Sequence, residues 1–343
     1  MNSRRTIHVA LASDENYFEG LLTTAWSIAR NCSRPEDLVL HILDGGISAS
    51  SWDFLISRLA SFKSTIDRIP VDQKASFDGF KAYRGTGRMT YARLLLPDLL
   101  PQTENIIYSD VDIVWIVDIA ELWDTLDASA VLHFVAKKNR HEPEVEWFEE
   151  NGFKFEQRNR FSAGMIVMNL RKFREENLHV KMLDAITNSN GDVPCCDETA
   201  LNAFMFGRDD RCEIHKRWQR LSGGRQDDLE HDGFVLHYGS DAPWRSIHTY
   251  HHFLNDQHLI WHRFHAEARD ITTWQSLRMF NSPLDIISCR LLYLMAANSA
   301  LFLKFLHLVM IIKGNKQKIP CLDAYAVKMP FKNVRPKLMP FGK

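Results

Sequence analysis

The sequence predicts an α/β chain built on a sheet with right-handed crossovers, and three observations carry that reading. Short apolar runs of strand length alternate with stretches of helical periodicity across 6–70. The runs are almost continuously apolar, as strands buried on both faces of a parallel sheet must be. Polar and acidic residues gather just beyond the runs, and open α/β sheets bind ligands outside the carboxyl ends of their strands.

Thr6 to Ala12 forms the first run, broken by "SDENY". Phe18, Leu21, Leu22, Ala25, Ile28 and Ala29 then recur at helical spacing up to about Asn31. "LVLHILDGG" (Leu38 to Gly46) is a second strand with its turn, Trp52, Leu55, Ile56, Leu59 and Phe62 mark a second helix, and "IDRIPV" is a third strand. Strand, helix, strand, helix and strand in succession is the pattern of crossover units. Further along, Ala130 to Ala136 and Ala163 to Leu170 read as strands. Asp197 to Phe206 reads as a helix with acids at its N-terminus, where the macrodipole favours them, and Gly233 to Trp244 as a late strand running into a turn. Between the two middle strands, "KNRHEPEVEWFEENGFKFEQRNR" is a charged excursion, expected as a surface loop or helix near the mouth of a site.

Composition narrows the function classes. The 343 residues are 45% hydrophobic and 25% charged, enough for one large domain or two modest ones. A formal net charge of -1 gives no reason to expect nucleic acid as a partner. The six cysteines show neither a Cys-x-x-Cys pair nor a framework spacing, which implies reduced thiols and a cytoplasmic setting. The basic N-terminus leads into an apolar run ended by acids rather than by a small-residue cleavage site, so it reads as a core strand and not as a signal peptide.

The character shifts after about Thr272, which divides the chain into residues 1–270 and a helical extension, 271–343, that is apolar and then basic. Pro283 to Ile312 is strongly apolar but interrupted by Arg290, Asn298, Lys304 and His307, and a spanning helix wants roughly twenty apolar residues with few charges. The tail that follows is basic, with Phe and Met interspersed. An interfacial amphipathic helix with a polybasic patch, lying on the inner face of the cytoplasmic membrane, fits this combination.

The segment "IIYSDVDIVWIVDIAELWD" poses the chemical question. Asp110 and Asp112 stand one residue apart at the end of an apolar run, and on a strand they would share a face. Two carboxylates that close raise each other's pKa unless something positive lies between them. Hard cations such as Mn²⁺ or Mg²⁺ take carboxylate oxygens, and His237, after another apolar run, is able to complete the shell. Neither a Walker A loop nor a Gly-x-Gly-x-x-Gly appears, so a cation held by Asp-x-Asp is the remaining way to hold a diphosphate.

Six motifs, "ASDENY", "TYARLLLPDLLP", "IIYSDVDIVWIVDIAELWD", "SAGMIVMNLRKFR", "DETALN" and "HYGSDAPW", follow one another between Ile7 and His248 in the order seen in glycosyltransferase family 8. The chain resembles the bacterial lipopolysaccharide glucosyl- and galactosyltransferases of that family. The resemblance implies a GT-A fold, that is, a Rossmann-like mixed sheet flanked by helices. It also implies a UDP-sugar donor, Mn²⁺, and transfer with retention of anomeric configuration to a saccharide or glycolipid acceptor. Position by position, it gives Ala12, Asp14 and Asn16 to the uridine, Arg93 to the donor, and Asp110, Asp112 and His237 to the metal. Val111 then lines the diphosphate, Asp197 meets the donor sugar, and Glu198 stands beside it as a second catalytic candidate. Helix capping is the competing explanation for Asp14, Asn16 and Asp197.

Three positions depart from the family pattern. Ser162 replaces the usual Asn before "AGMIVMNL", which alters a donor-sugar or acceptor contact. Glu198 stands where the bacterial galactosyltransferases carry Gln. The segment after His237 is shortened, with Ala242 in place of a lysine that reaches the diphosphate, and Arg245 is close enough in sequence to substitute. A glycogenin-like transferase acting on a protein or soluble glycan, and a catalytically silent UDP-sugar-binding protein, are the alternative readings.

Overall fold

The computed structural model describes residues 6–82, 87–137, 141–154, 160–221, 233–239, 242–245 and 256–298. Strands β1 (Ile7–Ser13), β2 (Leu38–Asp44) and β3 (Thr65–Pro70) pair in parallel, and β1 also pairs in parallel with β4 (Asn105–Ser109). Strand β5 (Ile113–Trp115) leaves this sheet, while β6 (Leu132–Ala136), β7 (Phe161–Asn169) and β8 (Arg211–Glu213) complete it in the order β3-β2-β1-β4-β7-β6-β8. Strand β7 runs antiparallel to both β4 and β6, so the sheet is mixed. A second sheet, β5-β10-β9, contains β9 (Arg220–Leu221) and β10 (Val235–His237).

Burial follows the position of each strand. In β1 and β2 every residue but one is buried, as expected for strands covered on both faces. The third strand lies at the sheet edge, where Asp67, Arg68 and Pro70 are exposed, and charge and proline both discourage pairing with another chain. One core contains Tyr91, Tyr108, Phe161 and Phe173 and the other contains Leu11, Leu21, Ile107 and Trp115, so apolar side chains cover both faces of the sheet.

The first helix, Phe18–Asn31, buries all six apolar residues that its periodicity assigned to the core. It also buries Thr23, Thr24 and Ser27, which costs free energy unless each finds a partner. Thr23 Oγ1 donates to the Glu19 carbonyl of its own helix at 2.7 Å, and the other partners lie on the neighbouring backbone. Thr24 Oγ1 donates to the carbonyls of Val111 and Ile113 at 2.8 and 2.7 Å, Ser27 Oγ accepts from the Trp115 N–H at 3.0 Å, and Asn31 Nδ2 donates to the Trp115 carbonyl at 2.6 Å. This polar ladder fixes β5 and the residues before it against the helix. At the helix start, Glu19 receives His265 Nε2 and Arg269 Nε, at 2.7 and 2.8 Å, from the helix Asp256–Arg269. Ser276, on the next helix (Thr273–Phe280), lies 2.8 Å from Nδ1 of both His262 and His265, so this part of the extension packs against the same face.

Two expectations change. Asp110 and Asp112 do not share a strand: they occupy the turn between β4 and β5, with backbone bonds on both sides. The Asp110 N–H donates to the Gly164 carbonyl at 2.7 Å, and the Tyr238 N–H donates to the Asp112 carbonyl at 2.9 Å. The charged excursion is not simply surface. Its described residues include the helix Glu142–Glu150, which buries Glu144, Val145, Trp147 and Phe148, and Arg160, buried as its partner. The apolar segment forms a helix over Pro283–Asn298, and the remainder of it, with the basic tail, lies outside the described residues. Among the described residues no helix is long and apolar enough to cross a membrane.

Candidate active site

The carboxyl ends of β1 and β4, the start of β7, the end of β10 and the N-terminus of the helix Asp197–Met205 surround one site. The second sheet brings His237 to it. His237 pairs with Ile113 across β10 and β5, which sets the imidazole above the turn that carries the two aspartates. His237 Nε2 lies 3.2 Å from Asp112 Oδ1 and 3.9 Å from Asp110 Oδ2, and one ligand atom from each of the three residues falls within 4.8 Å of the others. Among the described residues Asp112 Oδ1 is buried with no hydrogen bond of good geometry. Two carboxylates, one of them with an unpaired buried oxygen, and one imidazole are a donor set that Mn²⁺ or Mg²⁺ takes, so the residues fit a divalent cation. Gly164 makes the arrangement possible, because a Cβ there would meet His237 Cε1 at 2.3 Å and Gln219 Nε2 at 2.8 Å.

Arg93 lies beneath the metal group. Only 2% of the residue is exposed, yet its guanidinium stands 2.8 Å from Asp110 Oδ1 through Nη2 and 2.8 Å from Asp197 Oδ2 through Nε. It also donates to the carbonyls of Thr90 and Ala163 and lies over the Tyr108 ring, 4.1 Å from its centroid. Burial raises the Asp110 carboxyl above its usual value, with Asp112 adding to the rise and Arg93 opposing it. Burial likewise pushes Asp197 up to about 6, against the pull of Arg93 and of the Thr90 hydroxyl 2.5 Å away. For His237, burial works downward, but Asp112 and Asp110 outweigh it and the imidazole is held above its ordinary value.

A second ionic layer flanks Glu198. Lys137 Nζ lies 2.7 Å and Arg160 Nη2 3.3 Å from its Oε1, and the Ala163 N–H donates to Oε2 at 3.1 Å. Burial would raise this carboxyl, yet Lys137 and Arg160 keep it below the usual range, so Glu198 is ionised at neutral pH. Arg160 also pairs with buried Glu144, whose other oxygen accepts from Thr199 at 2.9 Å. Cys195 and Cys196 precede this helix with φ of 55° each, a region that side chains with a Cβ rarely adopt, and the sharp turn delivers Asp197 and Glu198 together.

The profile of the family described as Glycosyl transferase family 8 matches residues 8–248. The chain belongs to this family. General stress protein A of Bacillus subtilis (strain 168) is 24% identical over 265 residues, covering 72% of this chain and 90% of that protein. The galactosyltransferase LgtC, solved with donor and acceptor sugar analogs, is 23% identical with a TM-score of 0.63, over 78% of this chain and 96% of LgtC. An active-site mutant of LgtC with glutamate in place of a glutamine is 21% identical with a TM-score of 0.63, over 79% and 100% of the two chains. The fold is of the GT-A type, and the chain is a glycosyltransferase.

Within this family frame, the remaining sequence candidates take definite places. Asp14 accepts from the Asn16 N–H at 3.0 Å and caps the short helix Glu15–Tyr17, with Ala12 buried at the end of β1 behind it. Arg245 reaches back to the same strand end, its Nη2 2.7 Å from the Tyr17 hydroxyl. Val111 is buried, and the Thr24 hydroxyl holds its carbonyl on the side away from the carboxylates. Ser162 faces Gln219, which lies 3.0 Å from the serine hydroxyl and 3.0 Å from His237 Nδ1. Sequence reasoning missed Thr90, Lys137, Glu144, Arg160, Gly164 and Gln219. The glycine in "SAGM" and the charges around Glu144 and Arg160 were the available signals, and pairing across the sheet was needed to interpret them.

Proposed function

We propose that this glycosyltransferase is a divalent-cation-dependent, retaining hexosyltransferase that moves galactose or glucose from a UDP-sugar to a saccharide acceptor. The acceptor in this reading is a lipopolysaccharide core or another cell-surface glycan. The convergence of Asp110, Asp112 and His237 from two separate sheets is the observation that carries it. These three residues would hold Mn²⁺ or Mg²⁺, which when bound supplies the positive charge that stabilises a diphosphate leaving group.

The chain's own groups support the rest of the reading. Arg93 keeps Asp110 and Asp197 ionised and aimed, so neither has to reorganise when donor binds. Asp14 and Asn16 meet the uridine, and Arg245, beside them on Tyr17, supplies the cation that the absent lysine would give to the diphosphate. Asp197 contacts the donor sugar. Screening UDP-glucose and UDP-galactose for hydrolysis tests the assignment: activity should vanish with EDTA, return with Mn²⁺, and fall by about two orders of magnitude or more in Asp112→Ala. Full turnover in metal-free buffer would contradict it.

Glu198 is assigned the catalytic carboxylate. In double displacement, one of its oxygens bonds to the anomeric carbon as the bond to UDP breaks. The acceptor hydroxyl then displaces it, and the configuration is retained. Glu198 is ionised, with a donor on each oxygen to fix its direction. Glu198→Gln should lower turnover about a hundredfold or more while UDP-sugar affinity stays within a few-fold, and no sugar adduct should be found on the denatured variant. A variant keeping most of its turnover would exclude a required nucleophile.

The C-terminal segment is assigned to the surface of an anionic membrane. On the helix Pro283–Asn298, Leu284, Ile287, Leu291 and Leu294 are exposed at helical spacing on one face, ahead of the basic tail. Truncation after Asn281 should leave UDP-sugar hydrolysis intact and abolish sedimentation with phosphatidylserine vesicles. Loss of cooperative melting in the truncated protein would instead make the segment part of the core.

A further inference from the structure

Behind the three candidate metal ligands lies a pair of polar residues to which the chemistry above gives no role. Gln219 sits between the short helix Lys216–Trp218 and β9, buried, with its amide pinched between two groups. Its Nε2 lies 3.0 Å from Ser162 Oγ and 3.0 Å from His237 Nδ1, and among the described residues its buried Oε1 has no partner. Gly164 keeps this contact open, since any Cβ there would strike both His237 and Gln219.

A side-chain amide occupies the same space with nitrogen and oxygen exchanged, so the contact has two chemical senses. With nitrogen inward, the amide donates to Nδ1, and the neutral imidazole carries its proton on Nε2, facing Asp110 and Asp112. That tautomer cannot bind a cation through Nε2. With oxygen inward, the amide accepts the Nδ1 proton and the Ser162 hydroxyl proton together, and Nε2 presents a lone pair to the two carboxylates. One amide group stays unpaired in either sense, so His237 decides between them. Among the described residues Asp112 Oδ1, 3.2 Å from Nε2, makes no hydrogen bond of good geometry, which leaves it able to share a cation with Nε2 in the second sense.

We propose that Gln219, supported by Ser162, is a positioning residue that fixes the tautomer of His237 so that Nε2 is ready for a divalent cation. The proposal rests on the cation reading of Asp110, Asp112 and His237. It also explains a departure noted in the sequence: Ser162 acts one step behind the metal group, as a donor to the amide oxygen. Outer partners of this kind typically change metal affinity by roughly 10- to 100-fold.

The test uses the full chain and Mn²⁺ alone, titrated calorimetrically without donor sugar. Gln219→Leu, which fills the space but accepts no proton, should bind Mn²⁺ about 10- to 100-fold more weakly than the unaltered protein. Gln219→Glu, which keeps an acceptor oxygen, should restore binding. In the unaltered protein loaded with Mg²⁺, ¹⁵N-histidine spectra, assigned by the signal missing in His237→Gln, should show the proton on Nδ1. That readout needs no altered Gln219 and stands even if the leucine variant fails to fold. Unchanged Mn²⁺ affinity in Gln219→Leu, failure of Gln219→Glu to restore it, or a proton on Nε2 in the Mg²⁺ form would overturn the assignment of Gln219. Failure of the unaltered protein to bind Mn²⁺ or Mg²⁺ would instead remove the cation reading itself.

Discussion

A single buried cation organises the centre of this molecule. Arg93 has almost no contact with solvent, and an unpaired guanidinium in that position would be prohibitively unfavourable. It is tolerated because Asp110 and Asp197 both reach it, one from the turn after β4 and one from a helix N-terminus roughly ninety residues later. The dependence is mutual. Without Arg93 the two aspartates would lose the main influence that opposes the effect of their burial. The ion pairs therefore join two parts of the chain that also share one hydrophobic core.

Around this centre the charges are arranged in layers. Arg160 and Lys137 neutralise Glu198 and Glu144 on one side, while Asp112 and His237 are left facing each other on the other. The difference matters chemically. Glu144 has both oxygens taken, one by Arg160 and one by the Thr199 hydroxyl, whereas Asp110 gives Arg93 only Oδ1, so His141, Glu144 and Cys195, although close together, form part of an ion-pair layer rather than a metal site. Among the described residues Asp112 has no arginine or lysine paired with it and faces only the titratable imidazole of His237, which leaves it able to receive a cation.

The fold was legible in the sequence wherever one element dictated its own pattern. Continuous apolar runs gave β1 and β2, and the spacing of Phe18, Leu21, Leu22, Ala25, Ile28 and Ala29 gave the first helix with its observed bounds. Legibility failed where a residue's role depended on a distant partner. Glu144 and Arg160 look like ordinary surface charges until each is seen to bury the other. Thr24 and Ser27 look misplaced on an apolar helix face until the backbone of 111–115 is set against them. The Asp-x-Asp pair was read on a strand and lies in a turn. The two carboxylates nevertheless converge, because backbone bonds from Gly164 and Tyr238 hold the turn from both sides.

The central claim is that Arg93 couples Asp110 and Asp197 into one unit, and a double-mutant cycle of folding stability on Arg93→Met and Asp197→Asn addresses it directly. Arg93→Met leaves both aspartates without their shared guanidinium and Asp197→Asn leaves Arg93 with Asp110 alone, whereas the double change removes both charges of the tested pair. The account predicts a coupling of about 1–3 kcal/mol, with the double variant more stable than the sum of the two single losses implies. Losses that add to within about 0.5 kcal/mol would show the two residues to be independent and contradict it.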